Sequence, residues 1–145
     1  MKTWGNFQHG VVLGTVLVAL SAVGLYAQSG KGLTPGSRMY DPNTETTFKA
    51  VVQEVKEVPG PGHGTGTHLT VKSGNDVYDV HVGPTWYLKQ QKYTFATGDE
   101  VEVTGSKVKY QGADVIIARQ IKKDGGVWTL RNARGIPLWS RGQNR

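Results

Sequence analysis

A chain of 145 residues with a formal net charge of +6 has room for one ordinary domain, and its charged and aromatic fractions are those of a globular protein rather than a disordered one. Twenty glycines and six prolines penalise helix interiors and lean the chain toward short strands and turns. The absence of cysteine excludes disulfide frameworks, thiolate metal sites and thiol catalysis together, so stability has to come from burial.

The first segment, residues 1–27, reads as a signal peptide or an N-terminal anchor. Lys2 gives a weak positive start, residues 11–27 carry no charge, and Ala27 offers the small residue that a signal peptidase requires before Gln28. Left uncleaved, residues 11–27 would tether the protein to a membrane: 17 residues at about 1.5 Å each span roughly 26 Å, close to the hydrocarbon core. Either way the expected location is outside the cytoplasm, periplasmic or secreted, and the lack of cysteine excludes a lipoprotein anchor. Residues 28–45, rich in Gly, Ser, Pro and Thr, read as a flexible linker with too little apolar surface to offset the entropy of ordering.

From Thr46 the pattern changes. Phe48, Ala50 and Val52 alternate with Lys49, Val51 and Gln53, after which the apolar parity slips to Val55 and Val58, so a long first strand with a bulge is expected. Residues 59–66, PGPGHGTG, read as a mobile loop that is neither strand nor helix. Residues 67–72 alternate with Leu69 and Val71 inward, residues 73–76 form a turn, and residues 77–82 alternate again with Tyr78, Val80 and Val82 inward. If Lys72 pairs with Val77, the register sets Thr70 against Asp79 and His68 against His81 on the outward face. Pro84 then fits the first turn of a short helix, whose Trp86, Tyr87 and Leu88, with Tyr93 beyond, would cap the end of a barrel, Trp86 within the core. A turn at residues 96–99 leads into Val101 and Val103, and Gly105 is expected to break or bend that strand before Val108 and Tyr110. Residues 113–121 form the last strong strand, and residues 127–130 add a short one.

Three strands, a helix and two more strands, with the first strand long and bent, is the order of the OB-fold. The expected fold is therefore all-β: a small five-stranded OB-fold-like barrel over residues 46–131 with one short helix between strands 3 and 4, followed by a basic tail at residues 132–145 that packs partly on the barrel. Closure would remove exposed sheet edges. A plain β-sandwich is the alternative.

Several runs also resemble a known family. Gly66-Thr67-His68-Leu69, Val80-His81-Val82-Gly83-Pro84-Thr85-Trp86-Tyr87, the segment from Gly98 to Ser106, Leu130-Arg131-Asn132, and Gly135-Ile136-Pro137-Leu138-Trp139 are similar to the domain shared by the magnetosome proteins MamS and MamX. Similar domains look common in small exported bacterial proteins without magnetosomes. The resemblance spans residues 46–139, and its most specific piece is His-Val-Gly-Pro-x-Trp. It implies an extracytoplasmic, OB-like accessory domain with no settled activity. No Cys-x-x-Cys-His motif is present, so a c-type cytochrome role is not implied.

Three candidate surfaces follow. The sharpest is the outward face carrying His68, Thr70, Asp79 and His81. Neutral imidazoles of His68 and His81 on paired strands, with His63 from the neighbouring loop, could share a Cu or Zn ion, and Asp79 could complete the shell or orient a ring. The bland reading is half-exposed polar residues on a sheet face, with no cofactor. The second is the glycine-rich loop, whose N–H groups could cradle an anion but which lacks the sequence of a phosphate loop. The third is the basic C-terminal region, where Arg119, Lys122, Lys123, Arg131 and Arg134 surround Trp128. Such interleaving suits nucleic acid, an anionic polymer or an anionic membrane surface. Export disfavours nucleic acid, leaving a protein, polymer or anionic surface in the periplasm as the expected partner. No nucleophile elbow or HExxH motif is present, and an enzyme is not expected.

Overall fold

Strict alternation of apolar and polar residues builds the strands of this protein, and closely spaced glycines punctuate them. The computed structural model describes residues 39–60 and 62–142; the signal or tether expected at residues 1–27 lies outside them. Among the described residues no helix is long and apolar enough to cross a membrane. The elements in chain order are β1 (Glu45–Pro59), β2 (Thr65–Ser73), β3 (Asp76–Pro84), α1 (Thr85–Gln91), β4 (Glu100–Tyr110), β5 (Ala113–Lys123) and β6 (Gly126–Thr129), flanked by 3-10 turns at Pro42–Thr44 and Leu138–Gly142.

The strands form one mostly antiparallel sheet in the order β3-β2-β1-β4-β5-β6, and β3 additionally pairs with β5 in parallel through Asp79 with Val115, Val80 with Ile116 and His81 with Ile117. A sixth strand joins the expected five, close to the short strand anticipated at residues 127–130, and the sheet is not the clean barrel expected. The seam between β3 and β5 is three pairs long, and β6 continues past β5 outside it. Asp124 and Gly125, at φ 51° and 75°, make the tight turn into β6, and an Asp-Gly pair tolerates those left-handed angles. Trp128 of β6 then stacks on Tyr93, ring centroids 4.9 Å apart, and meets Phe95 edge-on.

The core is built from Val52, Leu69, Val71, Val80, Val82, Val103, Ile116 and Ile121 of the strands and Leu130 just past β6, all fully buried. β1 is shared between two partners, β4 along Glu45–Val51 and β2 from Val51 onward. The register slips between Val52 and Glu54, which is the anticipated bulge. There Val52 turns away from the ladder: its N–H donates to the Asp99 carbonyl at 2.9 Å and its carbonyl accepts from Gly98 N–H at 2.7 Å, fixing the turn that starts β4.

Other boundaries differ from the sequence reading. β1 and β2 reach Pro59 and Thr65, so the connection is shorter than residues 59–66; Pro59 is tolerated because that end of β1 pairs only with β2. The linker expected to run to residue 45 gives way to ordered chain by Tyr40. Tyr40 is buried against Val115 and Ile117, its hydroxyl donates to Glu45, and Asp41 N–H donates to Ser106 Oγ at 3.0 Å. Gly105 does not end β4. The strand runs through it with a register slip against β5, because a Cβ there would stand 2.5 Å from the Ile117 carbonyl. In α1, Tyr87 and Leu88 are buried against the core, but Trp86 is 49% exposed rather than in it. Thr85, Tyr87 and Leu88 are the buried residues of this seven-residue helix, and Trp86 lies outside that set.

Candidate functional site: a His-Asp-His cluster on the β2–β3 face

The inward residues of β2 and β3 fix what faces outward. With Leu69, Val71, Val80 and Val82 in the core, parity sends His68, Thr70, Asp79 and His81 to the opposite side. The ladder pairs Lys72 with Val77, Thr70 with Asp79 and His68 with His81, with one irregularity between Thr67 and His68. The two imidazoles lie nearly face to face, 3.9 Å between centroids and tilted by 32°. Asp79 reaches toward both: its Oδ2 is 3.7 Å from His68 Nδ1 and 3.5 Å from His81 Nε2. These separations exceed those of a well-formed hydrogen bond. The other oxygen, Oδ1, is buried without a partner, as is Thr70 Oγ1.

This face is drier than a solvated sheet surface. Beyond His81 the same row continues into Ile117, which with Val115 and Tyr40 forms a second apolar cluster joined by Met39, Val108 and Tyr110. The Tyr110 ring meets His81 edge-on at 5.4 Å. The histidine side chains are therefore only 18% and 17% exposed, against 40% for Asp79. Burial holds both imidazoles below the ordinary histidine pKa. His81 is lowered to about 4, first by burial and then by the neighbouring His68, with Asp79 opposing and Arg131 adding to the fall. His68 is lowered by burial, which Asp79 partly offsets. At neutral pH both imidazoles are uncharged.

His63 is not part of the cluster; it is exposed on the β1–β2 connection. The glycine-rich connection is closed by its own backbone, Gly60 N–H donating to the Gly64 carbonyl at 2.8 Å. The signal that sequence reasoning lacked at this site is the neighbouring segment: Met39 and Tyr40 lie in what read as linker, and they pack on Val115 and Ile117, the apolar cluster adjoining His81.

The basic C-terminal region does not form the exposed strip that its sequence suggests. Arg131 is corrected from a surface contact to a core residue, 4% exposed. Its Nη1 donates to the carbonyls of Val82, at 3.1 Å, and Ala118, and its guanidinium stacks on Trp139 at 4.7 Å. Burial pushes its pKa down to about 10. Arg119 forms a two-pronged pair with Glu45 at 2.8 Å, and Lys122 pairs with Glu102 at 2.9 Å. Lys123 pairs with Asp99 at 2.7 Å while lying over Trp128 at 5.4 Å. Trp128 is engaged by Tyr93 and Phe95, and Arg134 alone of the set stands exposed without a side-chain partner among the described residues. The acids come from β1, from β4 and from the turn before β4, which linear charge counting cannot anticipate.

At the far end of β3, Trp139 lies across Gly83 and beside Tyr87, with ring centroids 5.3 Å apart. The Gly83-Pro84 step and the tail around Trp139, distant in sequence, are one packing unit.

The described residues form a small β-rich domain with one short helix. The chain belongs to the MamS/MamX magnetosome protein family, whose model matches residues 44–128. No curated protein matches it.

Proposed function

We propose that this protein is an exported, non-enzymatic binding and accessory module of the MamS/MamX kind, with an OB-like barrel that engages its ligand on the outward face of β2 and β3. The observation that carries this reading is the convergence of His68, Thr70, Asp79 and His81 on that face, with Thr70 Oγ1 and Asp79 Oδ1 buried and unpartnered. Buried polar atoms are ordinarily satisfied, so two orphans beside each other mark a place where a ligand would complete the bonding. The ring of pairings β1-β2-β3-β5-β4 and back to β1 supports the OB-like assignment, since that connection, with a helix between the third and fourth strands, is the OB arrangement. The non-catalytic reading is supported by the partners of the buried hydroxyls of Thr67 and Thr85, which bond each other rather than an imidazole base. Outside the cytoplasm the ligand would be a protein, a polymer or an anionic surface, or a small component carried among them.

Amide chemical shifts of the labelled full chain, followed during titration with periplasmic extract, cell-wall fragments and anionic vesicles in turn, test the reading. Shifts concentrated at residues 66–72 and 77–83 are expected for at least one of these. A response confined to residues 119–134 would sink it.

A further inference from the structure

Three donor atoms converge at the centre of the β2–β3 face: His68 Nδ1, His81 Nε2 and an oxygen of Asp79, all within 4.8 Å of one another. We propose that this trio binds a single divalent transition-metal ion of the zinc or copper class, with one coordination position left open toward solvent. The inference names the ligand of the face argued above and rests on that reading.

The geometry is already close to what such an ion requires. Metal–nitrogen and metal–oxygen bonds of about 2.0–2.2 Å in a tetrahedral arrangement place neighbouring donors roughly 3.3–3.5 Å apart. The observed separations of 3.5 and 3.7 Å from the carboxylate to the two imidazole nitrogens need adjustments of a few tenths of an ångström, within the reach of side-chain torsions. No backbone has to move, because register on two paired strands, rather than loop conformation, sets the spacing.

The commonplace account of such a cluster is a carboxylate hydrogen-bonded to a histidine, and here that account is incomplete. Neither imidazole is close enough to Asp79 for a well-formed hydrogen bond, and Asp79 Oδ1 has no donor at all. A cation between the three groups resolves this, since it replaces two long, weak contacts by three short bonds and compensates a carboxylate facing two uncharged rings. The rings stand 3.9 Å apart and are tilted by 32°, so sharing one ion requires them to fan apart about their side-chain torsions.

The donor set also selects the ion. Two imidazoles and one carboxylate, without sulfur, suit zinc and copper(II) and are poor for calcium or magnesium, which take oxygen ligands. Three protein ligands leave a tetrahedral ion one position short, the arrangement of a site that exchanges or presents its metal rather than one that only holds the fold together. Thr70, paired with Asp79 across the ladder, leaves an unpartnered hydroxyl on the strand beside the carboxylate.

Calorimetric titration of the full chain with zinc alone, and separately with copper(II) alone, tests the proposal. A His9→Ala/His63→Ala variant removes the two histidines outside the cluster and is expected to keep one site of unchanged affinity. His68→Ala and His81→Ala are each expected to lose affinity well beyond tenfold and Asp79→Asn about tenfold, with far-UV circular dichroism showing each variant folded. Copper(II) bound to the His9→Ala/His63→Ala variant should give an electron paramagnetic resonance spectrum split by two nitrogens, and by one in His81→Ala. Unchanged affinity in both His68→Ala and His81→Ala overturns the inference, as does loss of the site in the His9→Ala/His63→Ala variant. If neither metal binds the folded chain while periplasmic or cell-wall material still shifts the β2–β3 amides, the metal inference alone falls and the binding-face reading stands.

Discussion

Trp139 lies directly across Gly83, so that a methyl group added at Gly83 would come within 2.9 Å of two carbons of the indole ring. The ring cannot simply retreat, since Tyr87 and the Arg131 guanidinium pack against it. Gly83→Ala is therefore expected to destabilise the fold by about 1–3 kcal/mol, the usual cost of overpacking. Chemical denaturation measures this, and a double-mutant cycle locates its cause: with Trp139→Ala present, Gly83→Ala should add almost nothing. Full additivity of the two costs would show that the strain lies elsewhere.

Arg131 bonds the carbonyls of Val82 and Ala118, on β3 and β5, and among the described residues no carboxylate pairs with it. Replacing it by Met leaves those carbonyls short of a donor and removes the group stacked on Trp139, at an expected cost on the order of 2–4 kcal/mol. Lysine should rescue little, because an ammonium has neither the planar fork nor the flat face. Thermal unfolding followed by tryptophan fluorescence reads both variants. An Arg131→Met protein as stable as the parent would refute the structural role.

Stability should fall on mild acidification through His81. In the unfolded chain this residue takes up a proton near 6.5, but in the fold burial and His68 hold it at about 4, against the opposing pull of Asp79 and with Arg131 adding to the depression. Between these values the unfolded state binds more protons, so the contribution is intact above pH 6.5, is lost as pH falls, and levels off below about 4. The complete loss is on the order of 2–3 kcal/mol. Other carboxylates titrate at the lower end, so the comparison is with His81→Asn, measured in chelator to exclude metal. The variant should have a flatter profile between pH 6.5 and 4; parallel profiles would mean that His81 protonates freely in the fold.

Binding of single-stranded oligonucleotides should be weak and without a steep salt dependence. Arg119, Lys122 and Lys123 each have a carboxylate partner, Trp128 is stacked within the protein, and Arg131 is buried. Filter binding at several salt concentrations checks this, and tight binding that weakens steeply with salt would contradict it.

The strands and the histidine register were legible in the sequence because both depend on local alternation: once Leu69 and Val80 point inward, His68 and His81 must point out. What could not be read depended on contacts between distant segments. Tyr40 resembles linker until it meets Val115 and Ile117, and Arg131 resembles one more surface cation until the Val82 and Ala118 carbonyls enclose it. Trp86 failed for a different reason: over seven residues, helical periodicity is too short to tell the buried face from the exposed one. The sixth strand had a readable signal in Asp124-Gly125, a pair well suited to a tight hairpin.

The seam between β3 and β5 also bears on how the chain acquires its structure. Hairpins such as β2–β3 can form early, but Glu45 meets Ser106 and Val80 meets Ile116, each across a long intervening stretch. Pairings so remote in sequence give a high contact order, for which folding in milliseconds to seconds is the rule. Until β5 has emerged, β3 and β4 each keep a row of free backbone groups able to pair with another molecule. A chain ending before Ala113 should therefore aggregate rather than fold in part, and a protein read as crossing a membrane before folding would need to reach its destination with β5 attached.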